Sequence, residues 1–199
     1  MRLVVGVTGA SGAIYAKRLL EVLKEKNVEV DLIVTAPAEY IMQNELGLTS
    51  KELGELATAA WDIADIAADV ASGSQPRDGL VVIPCTMDAV AKMAHGISDN
   101  LLLRCFDVML KENRKIIIVP RETPLHATHL ENLLRLRRLG VTIIPPMTSF
   151  YHKPQTVMDM VDFIIAKILD QFNIPNALIA RWKKPEVETT QERTEDERT

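Results

Sequence analysis

Cysteine is scarce: the 199 residues hold two, Cys85 and Cys105, with no Cys-x-x-Cys and no Cys/His cluster. A disulfide framework and a thiolate zinc site are therefore excluded, and the usage fits a reducing, cytoplasmic setting. Long apolar runs are missing too. Leu3–Val7 is too short for a signal core or a membrane span. Positive charge is not in excess. The formal net charge of −4 argues against a broad nucleic-acid surface. No G-x-x-x-x-G-K-[ST] loop is present, so ATP-driven phosphoryl transfer has no seat. No G-x-G-x-x-G occurs, and no tyrosine is followed by lysine at the Tyr-x-x-x-Lys spacing of short-chain reductases. No DDxxD-type acidic cluster exists to hold magnesium for a pyrophosphate. His126 and His129 have no third ligand nearby, so no metal site is expected.

What is present is a regular alternation. Short apolar runs at Arg2–Val7, Val28–Val34, Leu80–Ile83, Lys115–Val119 and Val141–Ile144 read as strands. Helical patterns lie between and after them, at Ser11–Lys26, Ala36–Leu46, Thr86–His95, Ser98–Lys111, Ala127–Leu136 and Thr156–Phe172. Continuous apolar strands alternating with helices predict a doubly wound parallel sheet, a three-layer α/β/α Rossmann-like fold. Its ligand belongs at the carboxyl ends of the strands. One domain is expected over residues 1–184. The Glu- and Thr-rich stretch 185–199 cannot bury apolar surface and reads as a disordered tail. Gly47–Gly79 is too long for a minimal crossover and reads as a long loop, either functional or a surface insertion.

The run Thr8-Gly9-Ala10-Ser11-Gly12-Ala13 follows the first strand and opens the first helix. Its glycines permit a tight turn, and the helix N-terminus favours a phosphate. A nicotinamide dinucleotide would want an acidic residue at the end of the second strand, and Thr35 stands there. A mononucleotide such as FMN fits better. Thr35 can bond a ligand or simply cap the next helix.

At this point a family resemblance appears. That first turn, Ala71-Ser72-Gly73-Ser74, Pro84-Cys85-Thr86, Pro120-Arg121-Glu122-Thr123-Pro124, His129-Leu130-Glu131-Asn132 and Phe150-Tyr151-His152-Lys153-Pro154-Gln155 together resemble the UbiX-type flavin prenyltransferases, in the same order and from about Arg2 to Trp182. The resemblance implies a metal-independent enzyme that joins a dimethylallyl group from dimethylallyl phosphate to N5 and C6 of reduced FMN. The prenylated FMN passes to a UbiD-type decarboxylase. It also implies a dodecamer with active sites where subunits meet. By the same resemblance, Gly9, Ala10, Ser11, Thr35, Thr86, Met87, Asp88, Ala89 and Arg121 bind the flavin. Tyr151, Lys167 and Arg104 hold the prenyl phosphate, and Glu45, Glu122 and Lys111 stand near the chemistry. Two departures stand out: Ala89 replaces a hydroxyl residue, and Ile66 stands where some relatives have an aromatic side chain.

The chemistry needs these types. Cations and a tyrosine hydroxyl stabilise a departing phosphate, and a carboxylate can take the C6 proton. Read from the helix alone, Lys167 lies off the apolar stripe of Met158, Val161, Ile165, Ile168 and Phe172. Phe163 beside it on that outer face suggests a subunit contact. Trp182 is a second candidate contact. An FMN-dependent cysteine decarboxylase, a non-catalytic FMN carrier and a nicotinamide-dependent reductase remain the alternatives.

Overall fold

The protein, described by a computed structural model over residues 1–182, is built on one six-stranded parallel sheet. The expected tail 185–199 lies outside the described residues. The strands are β1 (Arg2–Val7), β2 (Glu29–Val34), β3 (Ala59–Trp61), β4 (Gly79–Cys85), β5 (Lys115–Pro120) and β6 (Thr142–Ile143), in the order β3-β2-β1-β4-β5-β6. β4 is buried throughout, as its unbroken apolar run requires of a central strand covered on both faces.

Helices α1 (Ala13–Glu25), α2 (Ala36–Leu46) and α7 (Val157–Gln171) build one layer with Leu3, Val5 and Val7 of β1. Helices α4 (Met87–Ala94) and α5 (Leu101–Lys111) build the other, over Val4, Leu80 and Val82. Helix α6 (Ala127–Arg138) packs beside α4, and α3 (Ser50–Gly54) is one short turn. The two layers follow from strand geometry: successive side chains point to opposite faces. No helix among the described residues is long and apolar enough to cross a membrane.

The interval read as a loop, Gly47–Gly79, corrects the sequence reading. It contains α3, the edge strand β3 and a single 3₁₀ turn at Asp69–Ala71. Three residues are too few to show strand periodicity, so β3 was not legible. The rest of the segment takes the place of a crossover helix against the α5 face.

A buried carboxylate fastens it there. Asp31 of β2 is fully buried and accepts from Arg2 Nε and Nη2 (2.8 and 2.7 Å), Arg77 Nε (2.6 Å) and Trp61 Nε1 (2.9 Å). Burial pushes its pKa up, but the bonds from Arg2, Trp61 and Arg77 outweigh that and hold it below the ordinary aspartate range. Replacing Asp31 by Ala leaves Arg77 without its ion-pair partner; a loss of about 3–5 kcal/mol in chemical denaturation is expected. The folded-state pKa lies below the unfolded one. The carboxylate's contribution is therefore complete above pH ~4–5 and disappears as pH falls through the folded value. The Asp31→Ala variant should lack that part of the acid slope.

Candidate functional site

The sheet order reverses between β1 and β4. The helix after β1 leaves on one face and the helix after β4 leaves on the other, so the chain forks at their carboxyl ends. A cleft of about 260 Å³ opens at this fork, lined by Thr8, Gly9, Thr35, Pro37, Thr86, Asp88, Ala89, Lys92, Asn100, Leu102 and Leu103.

Thr8 holds the fork together. Its Oγ1 donates to Pro84 O (2.8 Å) and accepts from Thr86 N (2.8 Å), while its amide donates to the same carbonyl (3.2 Å). Gly9 turns away against α2. A Cβ there would lie 2.4 Å from Pro37 Cβ and 3.0 Å from Pro37 C, so only glycine admits this approach.

Two helix N-termini face this region, and they differ. At α1, Gly12 takes a left-handed conformation (φ 109°), and the amides of Gly12 and Ala13 donate to Glu45 (2.9 and 2.8 Å). A carboxylate from α2 thus occupies the place read from sequence as open to a phosphate. Burial pushes Glu45 up, but hydrogen bonds from Ser11, Gly12 and Ala13 and the nearby Arg121 charge hold it below the ordinary glutamate range. Arg121 also donates to Ser11 O (3.2 Å). Ser11 is exposed and Ala10 buried.

At α4 the amides are freer. Thr86 caps the helix by accepting from Ala89 N (3.1 Å), which leaves Met87 N and Asp88 N donating to nothing among the described residues. Across the cleft Thr35 Oγ1 is buried and has no partner among the described residues. It does not cap α2, the alternative left open by the sequence. Unmet buried polar atoms are rare in folded proteins and mark a place where a ligand or water belongs. A cleft lined by an unpartnered hydroxyl and by the start of a helix with open amides suits the phosphate end of a mononucleotide. Apolar Leu102, Leu103 and Pro37 line the same cleft.

The remaining sequence candidates fall into separate groups. Arg121 and Glu122 line a smaller adjoining hollow with Pro145, Pro146 and Met147. Tyr151 packs edge-to-face on Phe163 (6.2 Å between centroids) and Trp182 (5.5 Å), and Lys167 Nζ lies 5.3 Å over the Phe163 ring. Lys167 makes no ion pair within 4 Å among the described residues. Phe163 is only 8% exposed, because His152 stacks on it. The apolar residue read from sequence as a subunit contact is thus covered by its own chain. Trp182 and Ile66 are exposed.

Arg104 pairs with Asp107 (2.7 Å). Lys111 ends α5 and pairs with Glu112. Since α5 runs back along the strands, Lys111 stands about 12 Å along the axis from Leu103, toward the opposite edge of the sheet. Lys111 therefore does not join the cleft of its own subunit, and Arg104, next to Leu103, turns its guanidinium to Asp107 and is not among the lining residues. Cys85 is buried and burial pushes its thiol far up, which leaves no thiolate nucleophile. Sequence reasoning missed Lys92, Asn100, Leu102 and Leu103. Their signal was faint, since the α4–α5 corner carries no recognisable motif.

A Flavoprotein family model matches residues 1–169. A flavin prenyltransferase UbiX from Methanocaldococcus jannaschii is 46% identical, over 92% of this chain and 98% of its own. The chain belongs to the UbiX-like flavin prenyltransferases. A solved complex of AnUbiX (PadA1) with FMN and dimethylallyl pyrophosphate superposes with a TM-score of 0.91 at 38% identity, covering 93% of this chain and 98% of that one. A dodecameric FMN-dependent UbiX-like decarboxylase from Escherichia coli O157:H7 gives 0.90 at 43%, covering 92% and 100%. The peptidyl-cysteine decarboxylase EpiD shares the fold alone, at 19% identity and a TM-score of 0.60, over 74% and 82% of the two chains.

The two threonines of this UbiX-like cleft make opposite predictions. Thr8→Val strips a buried hydroxyl from two bonds and should destabilise the protein by about 1–3 kcal/mol. Thr35→Val removes a hydroxyl that satisfies nothing and should leave the flavin-free melting temperature unchanged or raised. Thermal melts of both variants without flavin check the contrast.

Proposed function

We propose that the protein transfers a dimethylallyl group from dimethylallyl phosphate to reduced FMN, forming bonds at N5 and C6 and releasing phosphate. The observation that carries the reading is the cleft at the β1/β4 fork, where Thr35 Oγ1 lacks a partner opposite the free amides of Met87 and Asp88. The bound flavin supplies the nucleophilic ring atoms; the chain supplies position and charge.

Gly9, Thr35, Thr86 and Ala89 hold the mononucleotide with the backbone amides of Met87 and Asp88, whose side chains take no part, and Ala10 and Ser11 shape the turn. Arg121 sits over that turn, donating to Ser11 O, and presents its charge beside Glu45. Glu45 is ionised at neutral pH and already accepts from two backbone amides, so it anchors the turn and balances Arg121. Glu122, exposed and among the described residues accepting only from Thr123 N, is the freer carboxylate for the C6 proton. The unpaired Lys167 and the hydroxyl of Tyr151 grip the prenyl phosphate. A neighbouring copy brings Arg104 and Lys111 to this site, since on their own subunit Lys111 stands at the far end of α5 and Arg104 is turned to Asp107. The dodecamer formed by the Escherichia coli relative supports such an assembly. A UbiD-type decarboxylase in the cytoplasm receives the product.

Incubation with reduced FMN and dimethylallyl phosphate, followed by mass spectrometry of the released flavin, tests the reading. A flavin carrying one added five-carbon unit is expected. Unmodified flavin with both the phosphate and the pyrophosphate donor would favour an FMN carrier. Lys167→Ala should lower kcat/KM for the prenyl donor by roughly 10- to 100-fold, the cost of one charged hydrogen bond, with FMN affinity unchanged. Thr35→Val should do the reverse, weakening FMN by about tenfold.

A further inference from the structure

Among the described residues that line the cleft, Lys92 is the only cation and Asp88 the only anion. Asp88 is the second residue of α4, next to the two free amides. Its carboxylate is 74% exposed at the mouth of the cleft, so an entering phosphate would meet a like charge there. Lys92 stands one turn along the same helix. Its Nζ lies 3.4 Å from Asp88 and 3.1 Å from Asp99, in the connection that leads into α5.

We infer that Lys92 is a positioning residue for the phosphate end of the flavin, offsetting part of the Asp88 charge, although it also pairs with Asp99, so that the α4 amides can receive a dianionic monoester. The inference rests on the reading of the cleft as an FMN site. Several observations lead to it. The rival N-terminus, that of α1, is filled by Glu45, so the α4 end is the open one. Among the described residues Asp88 makes no hydrogen bond to the α4 amides or to any other backbone, so its charge is not spent on capping. Asp99 faces Lys92 from the far side, and Asn100 beside it caps α5 by accepting from Leu103 N (3.0 Å). Lys92 thereby also joins the two walls of the cleft, α4 and the start of α5. Arg121, the other cation near the fork, is engaged with Ser11 and Glu45.

Because it is carried by charge, the effect is specific to phosphate. A carboxylate at the helix end and a phosphate a few ångströms away repel appreciably near a protein surface, and that repulsion weakens with salt. Riboflavin carries the same ring and ribityl chain without the phosphate, so it should be indifferent to Lys92. The test measures FMN and riboflavin affinity by flavin fluorescence for the full chain and four variants. Lys92→Met should weaken FMN about tenfold at low salt, less at high salt, and leave riboflavin unchanged. Lys92→Arg should retain wild-type affinity. Asp88→Asn alone should bind FMN at least as well as wild type. The double variant Asp88→Asn/Lys92→Met should recover most of the loss, the remainder being the Asp99 charge that Lys92 also pairs. The inference is overturned if Lys92→Met binds FMN normally, if it weakens FMN and riboflavin alike, or if the double variant fails to recover. Wild-type protein that binds no FMN would overturn the flavin reading itself, a result distinct from each of these.

Discussion

Thr8 ties the carboxyl ends of two parallel strands together where the chain must part. Helix α1 leaves β1 toward one layer, and α4 leaves β4 toward the other. The ladder between β1 and β4 ends at Gly6 and Val82, so the two departures need a further link beyond it. The Thr8 hydroxyl gives a hydrogen bond to Pro84 O and takes one from Thr86 N, so the first residue after β1 is bonded to both sides of the β4 exit. That latch fixes the start of α4 against the end of β1, the two sides of the cleft. Gly9 then admits Pro37 at a distance no side chain would allow, which brings Thr35 to the opposite wall.

The fork creates two helix N-termini, and the molecule treats them unequally. A helix end is a partial positive charge with unmet amides. Glu45, carried by α2, meets those of α1. The α4 end keeps two amides open because its cap residue, Thr86, serves only Ala89 N. One end therefore acts as a structural anchor for α2, Arg121 and the glycine turn, while the other is left for a ligand. The hydroxyl lost at Ala89 does not close the α4 end, because the open donors there are backbone.

This asymmetry marks the border of what sequence could tell. The parallel sheet was legible, since unbroken apolar runs alternating with helices admit few other arrangements. The glycine turn was legible as an anion-binding shape, but not its occupant. Glu45 lies 33 residues from Gly12, and no local rule links them. β3 was illegible for its brevity, and Phe163 looked exposed because the covering ring of His152 comes from a loop without periodicity. The individual assignments at the site came from family resemblance. What folding adds is their grouping: Arg121 with Glu45 and Ser11, Tyr151 with Lys167 and Phe163, and Arg104 and Lys111 elsewhere on α5.

The state of each cation bears on its work. A cation meant for a departing phosphate serves best when it is not already neutralised, because breaking an existing pair costs part of the new contact. Lys167 meets this condition: it rests on the face of Phe163, a contact that orients the ammonium without cancelling its charge. The edge of Tyr151 against the same ring holds its hydroxyl group in the same cluster. Lys111 and Arg104 are paired with Glu112 and Asp107, both surface carboxylates that can be exchanged when another anion is offered. Exposed pairs of that kind are worth little and yield readily. Under the proposed reaction, the preorganised cation would belong to the subunit that holds the donor and the exchangeable ones would arrive with a neighbour.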